Sequence, residues 1–130
     1  MNDIVNNWIK KALEDLKVAE HELSLEENQM VTSAICFHSQ QAVEKLLKAY
    51  LTSKNVKVGK SHDIAYLLQL CIHQDSDFLK LKELNVEQLT FYAVEIRYPD
   101  DFYIPSIEEA KASYELAVLV KEFILKKIEV

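Results

Sequence analysis

Apolar residues recur every three or four positions from the start of the chain. Val5, Trp8, Ala12, Leu16, Ala19 and Leu23 share one face, and Lys11, Glu14, Lys17 and Glu22 take the other. That is the period of a helix with one buried side. The pattern breaks over 24–28, which reads as a short connection. A second helix is predicted from about residue 29 to about residue 54, with Ile35, Ala42, Leu46 and Ala49 as its main stripe. Ala34, Phe37 and Val43 widen that stripe. A helix apolar over so much of its circumference belongs at the centre of a bundle.

Residues 55–60 form a loop that holds the only glycine, Gly59. Ser61 is placed as the N-cap of a third helix over about 62–73, with Ile64, Leu67, Leu68 and Cys71 or Ile72 inward. A helical turn over 75–82 packs Phe78 and Leu81. Asn85 and Gln88 have the spacing of a capping box for a fourth helix reaching about Arg97, where Tyr98-Pro99 stops it. Ser106-Ile107-Glu108-Glu109 is a second capping box, opening a last helix after Pro105. Ile107, Ala110, Tyr114, Ala117, Ile124 and Ile128 line that helix, and Lys126 and Lys127 complement its C-terminal dipole. No repeat, low-complexity tract or linker interrupts the pattern. The expectation is a single all-α domain over residues 1–130, an antiparallel up-and-down bundle of about five helices, three long and two or three short.

Composition narrows the chemistry. One glycine and two prolines argue against a hairpin-rich β fold, and with one glycine neither GxGxxG nor GxxxxGK[ST] can be written. The chain has 130 residues, enough for one core. A net charge of −6 makes it a poor non-specific nucleic-acid binder, so any such role needs a local basic patch. Cys36 and Cys71 lie in apolar stretches without CxxC spacing, which suits reduced, buried thiols. The sequence opens Met1-Asn2-Asp3-Ile4 and turns amphipathic, and no run approaches a membrane span, so a cytoplasmic protein without membrane contact is expected.

Three constellations carry candidate chemistry. His38, Gln41, Glu44 and Lys48 step down one side of the second helix, with Glu44 and Lys48 an i,i+4 pair. This stripe reads either as a solvated or subunit-facing edge, or as a polar network for a ligand or symmetric partner. From Lys45 to His62 there are five lysines (45, 48, 54, 57 and 60) and no acid. Such a run serves as ordinary dipole partners for a helix end or as a phosphate-attracting rim before His62. Third, the sole arginine, Arg97, precedes a segment with Pro99, Pro105, Tyr98, Phe102 and Tyr103, pairing either Asp100 or Asp101 or a ligand. No E-x-x-H occurs, His21-Glu22 lacks the second histidine of H-E-x-x-H, and Cys71-Ile72-His73 stands alone. No metal or cofactor is therefore expected.

Three stretches in order carry a family resemblance: Trp8-Ile9-Lys10-Lys11-Ala12-Leu13-Glu14-Asp15-Leu16; Phe37 through Tyr50 followed by Ser61-His62-Asp63-Ile64; and Arg97-Tyr98-Pro99-Asp100. Together they resemble the HEPN family, the higher-eukaryote and prokaryote nucleotide-binding domain. The resemblance implies a helical homodimer with its cleft near the subunit interface. It also implies membership of a two-component, toxin–antitoxin type system with a minimal nucleotidyltransferase partner, and binding of a nucleotide or RNA phosphate. Ribonucleases of the family use arginine, four to six residues, then histidine. Arg97 matches the arginine, but no histidine follows His73, and the position falls on Phe102 or Tyr103. An unperturbed tyrosine, with a pKa of about 10, is a poor base at neutral pH. The expected site is Arg97 on phosphate with Tyr103 beside it and Lys48 and His62 on the rim. The alternatives are a dimerisation or protein-interaction module without a nucleotide site, using the polar stripe, and a ribonuclease with a rearranged base.

Overall fold

The first apolar stripe becomes helix α1 (Asp3–Leu23), burying Val5, Ala12, Leu16 and Ala19. The computed structural model describes residues 3–93 and 103–128. Helix α2 (Thr32–Ser53) begins a little later than the sequence pattern suggests, because Glu27–Gln29 forms a 3-10 turn ahead of it. The Glu22 carboxylate accepts the Val31 N–H at 2.8 Å and ties the end of α1 to the start of α2. As expected, α2 is central: it packs against α1, against helix α3 (Ile64–Gln74) and against the last helix, α5 (Ile107–Ile128). Ala12 and Ala19 on α1 and Ala42 and Ala49 on α2 are fully buried. Side chains this small permit close helix approach.

Two predicted caps move. The N-cap of α3 is Asp63, whose Oδ1 accepts the Ala65 N–H at 3.0 Å, while Ser61 sits two residues earlier and its hydroxyl accepts the Asp63 N–H at 3.1 Å. The proposed fourth α-helix is a 3-10 segment, Val86–Tyr92, without a side-chain cap. Asn85 has φ 57°, a left-handed conformation, and its N–H bonds back to the Lys82 carbonyl. It therefore closes the short helix α4 (Leu79–Glu83) instead of opening the next element, since an N-cap needs an extended backbone. The remainder of that predicted helix, with Arg97 and Tyr98-Pro99, lies outside the described residues. The last cap is as predicted: the Ser106 hydroxyl accepts the Glu109 N–H at 3.0 Å.

The all-α bundle forms as expected, with alternation confined to its first two helices. Trp8 meets Lys48 and Glu22 meets Val31, so α1 and α2 are antiparallel. The Thr32 hydroxyl donates to the Pro105 carbonyl at 2.7 Å, joining the beginnings of α2 and α5. At the other end Phe78 sits 4.5 Å from the Tyr50 ring and 4.9 Å from the Phe123 ring, joining their ends. Helices α2 and α5 therefore run parallel, because the crossover through α3, α4 and the 3-10 segment returns the chain to its starting end. Burial pushes the thiol of Cys36 up and that of Cys71 up to about 12, so both are inert core residues. Among the described residues no helix is long and apolar enough to cross a membrane.

Phe78 locks α2 to α5, so Phe78→Ala is expected to destabilise the fold by about 3–5 kcal/mol. The check is urea unfolding, with a lowered midpoint and an unchanged m-value; a loss below about 1 kcal/mol would show that the ring is not a core contact.

Candidate functional site

Helix α2 is enclosed on several sides, and this decides the fate of its polar stripe. The expected Glu44–Lys48 pair forms, with Lys48 Nζ 3.0 Å from Glu44 Oε2, but each residue is only 3% exposed. A solvated edge is thus overturned for these two. The connection between α2 and α3 doubles back along α2 for about two and a half turns and delivers His62 to Glu44. Asn55 (φ 60°) and Gly59 (φ 59°) supply the left-handed residues that this reversal needs. Nothing lies within 4 Å of a Cβ built on Gly59, so the glycine serves conformation and not crowding.

A buried carboxylate is tolerable only when paired and hydrogen-bonded. Glu44 meets that condition fully. Besides Lys48, it takes His62 Nδ1 at 3.0 and 3.1 Å and Gln40 Nε2 at 3.2 Å. Gln40, absent from the sequence expectations, is fully buried, and its own Oε1 accepts from Gln41 at 2.7 Å. Lys48 Nζ also lies 5.4 Å from the Trp8 ring centroid, a cation–π contact from below the surface. The His62 side chain, by contrast, is 67% exposed. An ionised carboxylate only accepts, so His62 Nδ1 carries the hydrogen. Nε2 is left without a partner among the described residues and is available as an acceptor, or as a donor once the ring is protonated.

The other members of the stripe go elsewhere. His38 Nδ1 lies 2.8 Å from Asp15 Oδ1, and Lys45 Nζ lies 2.6 Å from Asp15 Oδ2, forming a second ionic cluster between α1 and α2. The lysine run is correspondingly thinned. Lys45 and Lys48 are neutralised internally, and Lys54 lies over the Tyr50 ring at 5.7 Å. Lys57 and Lys60 stay exposed in the loop before His62. Lys48, expected on the rim, lies beneath it.

A third cluster surrounds Tyr103. Its hydroxyl donates to Glu109 Oε1 at 2.6 Å, and the Tyr92 hydroxyl donates to Oε2 of the same carboxylate. These tyrosines flank the segment containing Arg97, which itself lies outside the described residues. Burial opposes ionisation of Glu109, but the two phenols and the Ser106 backbone N–H outweigh it and hold the carboxyl below its ordinary range. The same bond to Glu109 raises the Tyr103 hydroxyl above its ordinary value, so this residue is no base at neutral pH. Sequence reading placed Glu109 only in the Ser106 capping box and missed its pairing with Tyr92 and Tyr103, because that pairing crosses elements. Asp15 did leave a signal: it stands three residues after Ala12 and four before Ala19, on the buried stripe of α1.

Glu44→Leu strands the Lys48 ammonium and is expected to cost about 3–5 kcal/mol, while adding Lys48→Met restores most of it. Urea midpoints of the two single variants and the double variant check this; additive losses would contradict it. For Glu109 the folded carboxyl titrates below its ordinary value of 4.5, so the folded state holds fewer protons than the unfolded chain in that range. Its stabilisation is complete above that value and is lost as pH falls through the folded pKa. Between about pH 6 and about pH 3, the urea midpoint of Glu109→Gln should fall less steeply than that of the parent; equal slopes would remove Glu109 from the acid response.

A model of the HEPN domain family matches residues 5–128. Among solved structures, the crystal structure of an archaeal HEPN homologue has a TM-score of 0.70 to this chain at 24% identity, covering 96% of this chain and 98% of that one. At this identity the likeness is one of fold. No curated protein matches the sequence.

Proposed function

The chain belongs to the HEPN domain family, and from that premise we propose that it binds a nucleotide or RNA phosphate without cleaving it. The observation that carries this reading is the His62 ring, exposed at the surface yet held through Nδ1 by the buried Glu44 carboxylate. A ring so anchored holds Nε2 in one direction at low entropic cost, and the protonated ring donates from it to an anion. Exposed Lys57 and Lys60 precede it in a loop free of acids, which favours phosphate in an otherwise acidic chain. Arg97 supplies the bidentate phosphate contact, with Tyr103 alongside as a neutral hydrogen-bonding group. The raised Tyr103 hydroxyl argues against cleavage, because the position of the family's histidine then lacks a neutral-pH base. The domain works as a cytoplasmic homodimer within a toxin–antitoxin type pair whose other member is a minimal nucleotidyltransferase.

A second reading, a dimerisation or protein-interaction module without a nucleotide site, is favoured by the outer face of α1. Leu13 is exposed there, and with half-buried Ile9, one turn away, it lines a shallow groove. Exposed apolar side chains gathered on one helix face are a feature of contact surfaces.

Fluorescence anisotropy of a labelled five-residue oligoadenylate, at fixed salt, tests the first reading. Arg97→Ala and His62→Ala are each expected to weaken binding about tenfold or more, with no cleavage by the parent protein. Unchanged affinity in both variants, or no binding by the parent, overturns it. Absence of oligoadenylate binding, together with co-purification of a nucleotidyltransferase that Arg97→Ala leaves intact, would favour the second.

A further inference from the structure

Trp8, the only tryptophan of the chain, stands in the wall of a groove of about 600 Å³ between the first turns of α1 and the connection that follows α2. Ile4, Val56 and Val58 line the groove with it, and Asn55 and Lys57 supply polar groups. No carboxylate lines this groove. The other described cavities each include one: Asp77 and Glu122 in one, Glu109 in the second and Glu14 in the third. In a chain of net charge −6, a groove with a cation and no acid selects for an anion.

The polar groups here are uncommitted. Among the described residues Lys57 makes no ion pair and the Asn55 side-chain amide has no hydrogen-bond partner. Asn55 stands in a left-handed turn just after α2, with its backbone N–H bonded to the Thr52 carbonyl. The groove is coupled to the His62 site through a single buried atom: Lys48 Nζ meets the Trp8 ring and the Glu44 carboxylate that anchors His62. An indole ring, aliphatic walls, an amide able to donate and accept, and an exposed cation answer a planar, hydrogen-bonding ring that carries negative charge. A nucleobase with its phosphate has that chemistry.

We propose that this groove is a base-stacking subsite: Trp8 stacks on a nucleobase, Asn55 bonds its edge and Lys57 meets its phosphate. The inference rests on the phosphate-binding reading above and adds where the base lies. Free nucleotide and the end of a single-stranded RNA share this chemistry, and the test separates them.

Because Trp8 is the sole tryptophan, its emission reports the groove alone. Adenosine monophosphate, a five-residue oligoadenylate and inorganic tripolyphosphate are titrated separately, with anisotropy of the labelled oligoadenylate measured in parallel. Saturable quenching is expected, by the monophosphate if free nucleotide is the ligand and by the oligoadenylate alone if RNA is. Tripolyphosphate should compete for binding without quenching. Trp8→Leu should weaken binding about tenfold, and Trp8→Phe should retain most of it. Lys57→Glu, an exposed change that leaves the core untouched, should weaken binding by at least as much with unaltered circular dichroism. Oligoadenylate binding by anisotropy, with unquenched Trp8 and unchanged affinity in Trp8→Leu, overturns the subsite and leaves the phosphate reading standing. Absence of binding by every probe overturns both. A Trp8→Leu variant that loses its dimer but keeps full nucleotide affinity assigns the groove to a second copy and overturns the proposal.

Discussion

Glu44 and Lys48 put opposite charges inside the helix that α1, α3 and α5 all pack against. Each would cost several kcal/mol alone in such a place. The pairing removes most of that cost only if the remaining oxygens and hydrogens also find partners, and those partners come from elsewhere in the chain. Gln40 contributes from one turn earlier on α2, Trp8 from α1 and His62 from the far end of a doubled-back loop. The loop conformation, the register of α1 on α2 and the pose of a surface histidine therefore all answer to one buried carboxylate. A pair of this kind adds little net stability beside well-packed apolar residues. Its value here is geometric, since it fixes where His62 stands.

The second organising contact lies at the start of α5. Ser106 caps the helix through Glu109, and the Glu109 carboxylate in turn receives the hydroxyls of Tyr92 and Tyr103. The described residues on either side of the Arg97 segment are thus joined at one acceptor. The Thr32–Pro105 hydrogen bond and the Tyr50–Phe78–Phe123 ring cluster hold α5 parallel to α2 at both ends. Local capping, crossover topology and the setting of Tyr103 form one continuous arrangement.

The apolar stripes of α1, α2 and α5 could be read from spacing because each is one-sided burial repeated over many turns, and Ser106 could be read as a cap because that interaction is local. Asn85 could not: its left-handed backbone depends on how α4 ends, and the same Asn-x-x-Gln spacing serves a helix start equally well. Asp63 displaced Ser61 as a cap by two positions because both residues offer an acceptor and only the tertiary path of the loop chooses between them. The polar stripe of α2 stayed open between two readings for a related reason. Periodicity places His38, Gln41, Glu44 and Lys48 along one side but is silent on whether a returning loop covers that side. Family likeness rested on the Phe37–Tyr50 stretch and on His62, and these include the residues that the fold brings together.

Glu44 holds His62 by Nδ1 and leaves Nε2 for a ligand. Nitrogen-15 correlation spectra of the histidine rings, recorded where the imidazole is neutral, read the tautomer of His62 directly. The arrangement predicts hydrogen on Nδ1 in the parent protein and a shift towards the ordinary tautomer mixture in Glu44→Gln. Hydrogen on Nε2 in the parent, or a tautomer indifferent to Glu44, would contradict it.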